Sequence, residues 1–159
     1  MLEFKPLTLE DCEFLQEVRN EYAETYLHNS TTYSIEETKE WYKKLNIPYY
    51  VVYYQDNRIG YFRLSDYSPQ NNNMFIGMDI HKNFKGKGYA YEAYIKFIPY
   101  IMDKYNLNKI SLEVLSTNTV AINLYKKLGF ITEGVKRQEV LKNGKYIDSI
   151  LMSLLREEV

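Results

Sequence analysis

At 159 residues the chain is most simply one domain, long enough to close a real core, and its 45% hydrophobic and 26% charged content is ordinary for a globular protein. A formal charge of −1 exerts no global pull toward nucleic acid or an anionic membrane, so any anion site must be local. A single cysteine, Cys12, excludes an internal disulfide and a cysteine-paired zinc site.

In chain order, "LEFKPL" alternates like a short first strand, and its acidic residue rules out a signal peptide. With no run of membrane-spanning length, the chain reads as cytoplasmic. Thr8 and Asp11 open a helix with Phe14, Leu15 and Val18 on its apolar stripe. "NEYAETYLHNSTTY" lacks periodicity and reads as a loop or short turns, before Ser34 and Glu37 cap a helix over 35–45. "YYVVYY" and "RIGYFRL" form a hairpin about Asp56-Asn57, and "MFIGMDI" is the next strand. Residues 86–105 carry helical apolar spacing, with Pro99 removing one backbone bond and predicting a kink. "KISLEVL" is a strand, Asn118 starts a helix stopped by Gly129, and two final strands flank Asn143-Gly144. The order predicts an α/β fold with a mixed sheet of about seven strands and four helices.

The segment "NFKGKGYAYEAY", from Asn83 to Tyr94, follows a strand and opens a helix. A dinucleotide fingerprint needs a third small residue where Tyr91 stands, and a P-loop needs Lys-Ser or Lys-Thr where Tyr89-Ala90 follow. Glycines at a helix start still let exposed amides approach phosphate oxygens, with Lys85 and Lys87 adding charge. The plain alternative is a strand-to-helix turn with solvated lysines. Seventeen tyrosines fit a compositional bias, and some can line a ligand cleft as well.

Thirty residues on, "LEVLSTNTVAINLYKKLGF" places Asn-x-x-Ala-x-x-x-Tyr ahead of Leu-Gly-Phe. Together with "IGMDI" and the glycine pair, this resembles the GNAT superfamily of acetyl-CoA-dependent N-acetyltransferases over most of the chain, most strongly at residues 77–130. The resemblance implies one GNAT domain over 1–159, acetyl-CoA as co-substrate and no metal. Lys85, Gly86, Lys87 and Gly88, with Tyr89 and Ala90 opening the helix, would cradle the pyrophosphate. Asn83 stands where the family has Gln or Arg. Met78 to Ile80 would hold the pantetheine arm through backbone bonds, and Gly77 is compatible with a splay beside it. Asn118 matches the asparagine that touches pantetheine, and is equally a good helix N-cap. Tyr125 matches the tyrosine that returns a proton to the departing thiolate, with a plain core tyrosine as its alternative.

The amine must lose a proton before it attacks. Glu113, a carboxylate in an otherwise apolar strand, is the first candidate base. It matches the base of ribosomal-protein N-terminal acetyltransferases, and a surface or structural role is the alternative. Asp79 is the second candidate and the loop residue His28 the third. Residues 18–42 resemble the acceptor region of GNAT enzymes acting on nucleotide-linked amino sugars, where Arg19 would meet a phosphate. The expected acceptor is such an amino sugar or another small amine. Protein N-termini are the alternative, and a non-catalytic acyl-CoA-binding protein is the non-enzymatic reading. A homodimer is compatible with each, while a nucleic-acid or membrane partner is not expected.

Overall fold

A computed structural model describes residues 1–159. The chain runs β1 (Leu2–Pro6), α1 (Cys12–Tyr22), α2 (Ile35–Lys43), β2 (Tyr50–Tyr54), β3 (Asn57–Ser68), β4 (Asn73–Ile80), α3 (Tyr89–Lys104), β5 (Lys109–Leu115), α4 (Thr119–Lys127), β6 (Ile131–Lys142) and β7 (Lys145–Leu155). The seven strands make one sheet in the order β1-β2-β3-β4-β5-β7-β6, antiparallel except where β4 meets β5. This is the mixed α/β architecture expected from the sequence.

Local signals act much as read. Thr8 N–H donates to Asp11 Oδ2 at 2.8 Å, and Ser34 and Glu37 exchange both bonds of a capping box, at 3.0 and 3.1 Å. Gly129, with φ +96°, ends α4. Three boundaries differ, the simplest being α2, which stops at Lys43 rather than 45. The β2–β3 turn residues are Gln55 and Asp56, both with positive φ, one position earlier than expected. Helix α3 begins at Tyr89 rather than 86, because Gly86 and Gly88 adopt φ of +71° and +82°, outside the right-handed helix. It then continues through the exposed Pro99.

The period-2 alternation of the strands divides the sheet into two faces. On one, Phe62, Met74, Ile76, Ile110, Leu112 and Met152 pack against Tyr94, Phe97, Ile98 and Ile101 of α3. Phe62 and Phe97 stack with centroids 4.0 Å apart. Burying each such side chain contributes about 1.5–3 kcal/mol. On the other face α1 sets Leu15, Val18 and Tyr22 on Val51 and Tyr61. Strands β4 and β5 pair only at Asn73↔Lys109, Met74↔Ile110 and Phe75↔Ser111. Beyond that point β4 is paired with β3 alone and β5 with β7 alone, so the sheet opens between them. No helix is long and apolar enough to cross a membrane.

Candidate active site

The opening in the sheet leads into a cleft of about 960 Å³. Tyr125 reaches it from α4, on the α3 side of the sheet; Arg19, Trp41 and the loop residues His28 and Tyr33 bound it on the α1–α2 side. Gly77 and Arg63 form the floor, and Glu113 stands on the β5 wall. The splay is therefore a passage between the two faces, which no single element could create.

At the far end of β4 the chain enters the glycine turn. The amides of Gly86, Lys87 and Gly88 donate to no backbone acceptor, and the first amides of α3 are unpaired by helix geometry. A Cβ on either glycine would meet nothing within 4 Å, so the cradle is open. His81 holds its entrance: Nδ1 accepts the Asn83 N–H at 3.1 Å while Nε2 lies 3.3 Å from Glu17 Oε1. These amides fit a diphosphate, and the helix start adds favourable potential. Lys85 Nζ lies over the Tyr22 ring at 4.2 Å and Lys87 Nζ 5.9 Å from the Phe84 ring centroid, so both lysines lean on aromatic faces beside the turn. Tyr89 packs on Tyr54, with centroids 4.9 Å apart, and Ala90 follows in the first turn. Met78 and Ile80 lie on the segment of β4 that has no β5 neighbour, which leaves that edge open to an added strand. Asn118 Oδ1 accepts the Ala121 N–H at 3.3 Å, which is the capping role.

Tyr125 is buried, its ring at 90° to Tyr94 with centroids 5.8 Å apart. Burial raises its pKa above the ordinary 10, with the nearby Arg63 cation opposing. The phenol is thus fully protonated at neutral pH. Arg63 Nε lies 3.1 Å from Asp79 Oδ2; the carboxylate is buried, while the arginine side chain is 39% exposed and forms the floor on the cleft side. Tyr61 Oη, buried beside it, has no hydrogen-bond partner in the protein.

Glu113 is less enclosed than its apolar strand suggests, with its side chain 23% exposed. Its register partner on β7 is Leu151, and Ser149, two residues along, shares that face. Ser149 in turn pairs with Lys136 on β6. Ser149 Oγ donates to Glu113 Oε1 at 3.0 Å, and Lys136 Nζ lies 3.1 Å from the same carboxylate. His28 Nε2 lies 2.7 Å from Ser149 Oγ. Arg19 donates to the carbonyls of Thr31 at 2.6 Å and Asn29 at 3.3 Å, and stacks on Tyr33. It thereby orders the loop that carries His28. Lys142 closes the same loop from the opposite end, donating to Ala23 O at 2.8 Å and Ser30 Oγ at 2.7 Å.

Residues 1–131 match the family model for the acetyltransferase (GNAT) domain. The chain belongs to the GNAT family. The GNAT domain is 37% identical over 103 residues to the uncharacterized N-acetyltransferase p20 of Bacillus licheniformis, covering 65% of this chain and 58% of that protein. It is 31% identical over 104 residues to spermidine N(1)-acetyltransferase of Vibrio cholerae, covering 65% and 60%. The alignments thus span under two thirds of the length of these relatives. In three dimensions the GNAT domain superposes on the Vibrio cholerae spermidine N-acetyltransferase in complex with CoA and spermine with a TM-score of 0.93 at 28% identity, covering 99% of this chain and 96% of that one.

Of the residues singled out in sequence, the fold gathers Tyr125, Glu113, His28 and Arg19 into one cleft. Asp79 joins them through Arg63, and the glycine turn stands at the end of the same strand. Arg63, Ser149 and Lys136 were not found by sequence reasoning. For Arg63 the available signal was a polar residue ending the apolar run of "IGYFRL"; Ser149 and Lys136 carry no comparable local signal.

Proposed function

We propose that this chain is an acetyl-CoA-dependent N-acetyltransferase whose acceptor is a polyamine. The observation that carries the reading is a continuous cleft joining a buried phenol on one face of the sheet to a cluster of carboxylates on the other. Glu36, Glu37, Glu40, Asp66 and Glu113 border it, against Arg19, Lys44 and Arg63. Five carboxylates against three cations leave the lining net acidic, and Glu36 and Asp66 carry no cationic partner, whereas Glu40 is paired with Lys43 and Glu113 with Lys136. That suits a chain of protonated amines. A nucleotide-linked amino sugar would need cations for its phosphates, and the cleft sets its three cations among five carboxylates. The likeness to spermidine acetyltransferases supports the polyamine, and none of the relatives described above favours the amino sugar.

In this reading the amide cradle and the open edge of β4 hold acetyl-CoA, with the thioester at the splay. The amine nitrogen attacks the thioester carbonyl, the C–S bond breaks, and Tyr125 gives its phenolic proton to the departing thiolate. The proton released by the amine goes to Glu113. Asp79 neutralises and fixes Arg63 rather than acting as base, since its carboxylate is already paired.

The test is thiol release from acetyl-CoA with spermidine, spermine, a UDP-amino sugar and a peptide with a free N-terminus. Turnover confined to the polyamines supports the reading; selective turnover of the sugar nucleotide overturns the acceptor. The peptide arm carries a second reading, favoured by 30% identity over 105 residues to the putative ribosomal N-acetyltransferase YdaF of Bacillus subtilis.

A further inference from the structure

We infer that His28, Ser149 and Glu113 form a single proton relay, in which His28 meets the acceptor amine and Glu113 is the terminal proton acceptor. The inference rests on the acetyltransferase reading and deepens it, because a lone carboxylate was the base there. Three elements distant in sequence meet at the relay: the α1–α2 loop, β7 and β5. Ser149 is fully buried at 0% exposure, so its hydroxyl has no water to trade with and only these partners to serve.

The direction of the chain follows from counting protons. Serine has one hydroxyl proton, and an ionised carboxylate can only accept. Ser149 Oγ donates to Glu113 Oε1 at 3.0 Å, so the 2.7 Å contact with His28 Nε2 must be filled by a proton on the imidazole. Neutral His28 is therefore the Nε2–H tautomer, with Nδ1 as its free basic nitrogen. When the ammonium of the acceptor gives a proton to Nδ1, the Nε2 proton passes to Ser149 Oγ and the serine proton passes to Glu113 Oε1. The amine is left neutral, Ser149 is restored, His28 is left as the Nδ1–H tautomer, and Glu113 carries the proton until exchange with solvent resets both groups. Glu113, whose side chain is 23% exposed, returns that proton to solvent directly, and Lys136, already a cation, orients the carboxylate.

Partial desolvation where the ring meets Ser149 lowers the His28 pKa below the ordinary 6.5, although the residue as a whole is exposed, so the base form prevails at neutral pH. Glu113 of β5 and Glu139 of β6 oppose this, while Arg63 of β3 and Lys136 of β6 reinforce it. A neutral imidazole at the cleft wall also presents no charge to repel a cationic acceptor.

The experiment has a readout that needs no turnover. Long-range ¹⁵N–¹H spectra of the histidine rings at pH 7.5 should assign His28 as the Nε2–H tautomer; an Nδ1–H tautomer overturns the relay. Kinetically, kcat of the wild-type protein at saturating spermidine should fall on acidification with a midpoint below 6.5. His28→Gln, on the cleft wall, should reduce kcat on the order of a hundredfold and remove that inflection, with KM for acetyl-CoA unchanged. A retained inflection overturns the proposal. Ser149→Ala should reproduce the kinetic loss while Ser149→Thr, which keeps the hydroxyl, restores most of it; equal loss in both overturns the relay in favour of packing. Wild-type protein that acetylates no amine while His28 is the Nε2–H tautomer overturns instead the activity on which the relay depends.

Discussion

The guanidinium of Arg63 lies flat across Gly77, its register partner on the neighbouring strand, so closely that a Cβ on Gly77 would fall 2.5 Å from Nη2. The backbone at Gly77 is ordinary extended strand, so the glycine is required by the arginine above it rather than by its own conformation. Gly77→Ala should push the flexible end of Arg63 off the floor and separate it from Asp79 while the sheet stays intact. Turnover is expected to fall on the order of a hundredfold through misplacement at the splay. Steady-state kinetics beside a circular dichroism spectrum checks this; unchanged kcat would falsify the role given to Arg63.

The glycine turn makes a different demand. Gly86 and Gly88 have positive φ but open space around them, so a substitution there meets backbone strain rather than a clash. Gly86→Asn, which tolerates the left-handed region, should leave both the fold and coenzyme A affinity nearly intact. Gly86→Val should lose about 1–2 kcal/mol to strain and cover the amides as well. Calorimetric titration with coenzyme A should show binding lost in the valine variant only. Equal affinity in the two variants would remove the turn as the diphosphate site.

Tyr125→Phe keeps the ring that packs on Tyr94 and Phe130 and removes only the proton donor. The expected result is a kcat lowered by about 10²-fold or more with coenzyme A affinity preserved. A near-normal rate would return Tyr125 to the status of a core aromatic.

Alkaline stability follows from the same tyrosines. Burial raises the pKa of Tyr61, Tyr94 and Tyr125 above the ordinary 10, well above it for the first two. Below pH 10 both folded and unfolded chains keep these protons and the groups make no difference. As pH rises past 10 the unfolded chain releases them and the folded chain does not, so stability is lost progressively with pH. Thermal midpoints from pH 8 to 11 should drop steeply in the upper part of that range. Absorbance at 295 nm should show these phenols ionising together with unfolding, and ionisation in the folded state would contradict their burial.

The element order, the caps at Thr8, Ser34 and Asn118, the turn at Asn143-Gly144 and the glycine turn ahead of α3 were legible in sequence because each is a local event. A cap needs only residues three apart, and a period-2 or 3.6 pattern is contained within one element. That Tyr125 and Glu113 would share one cleft was legible for another reason, their spacing along a motif shared with a family. The boundary errors are also local: which of two adjacent residues takes positive φ at Gln55–Asn57 depends on strand register, which no single segment specifies.

What the sequence by itself determined is the set of parts: a mixed sheet, a helix opening on bare amides, a tyrosine and a glutamate at family spacing. Tertiary structure alone decided that β4 and β5 part after Phe75 and Ser111, that Arg63 comes to rest on Gly77, and that His28 touches Ser149 across 121 positions of chain. Those contacts depend on non-local strand order and on the face each residue takes in the sheet. Their energies come from pairs whose members carry no mark of one another in the one-dimensional pattern.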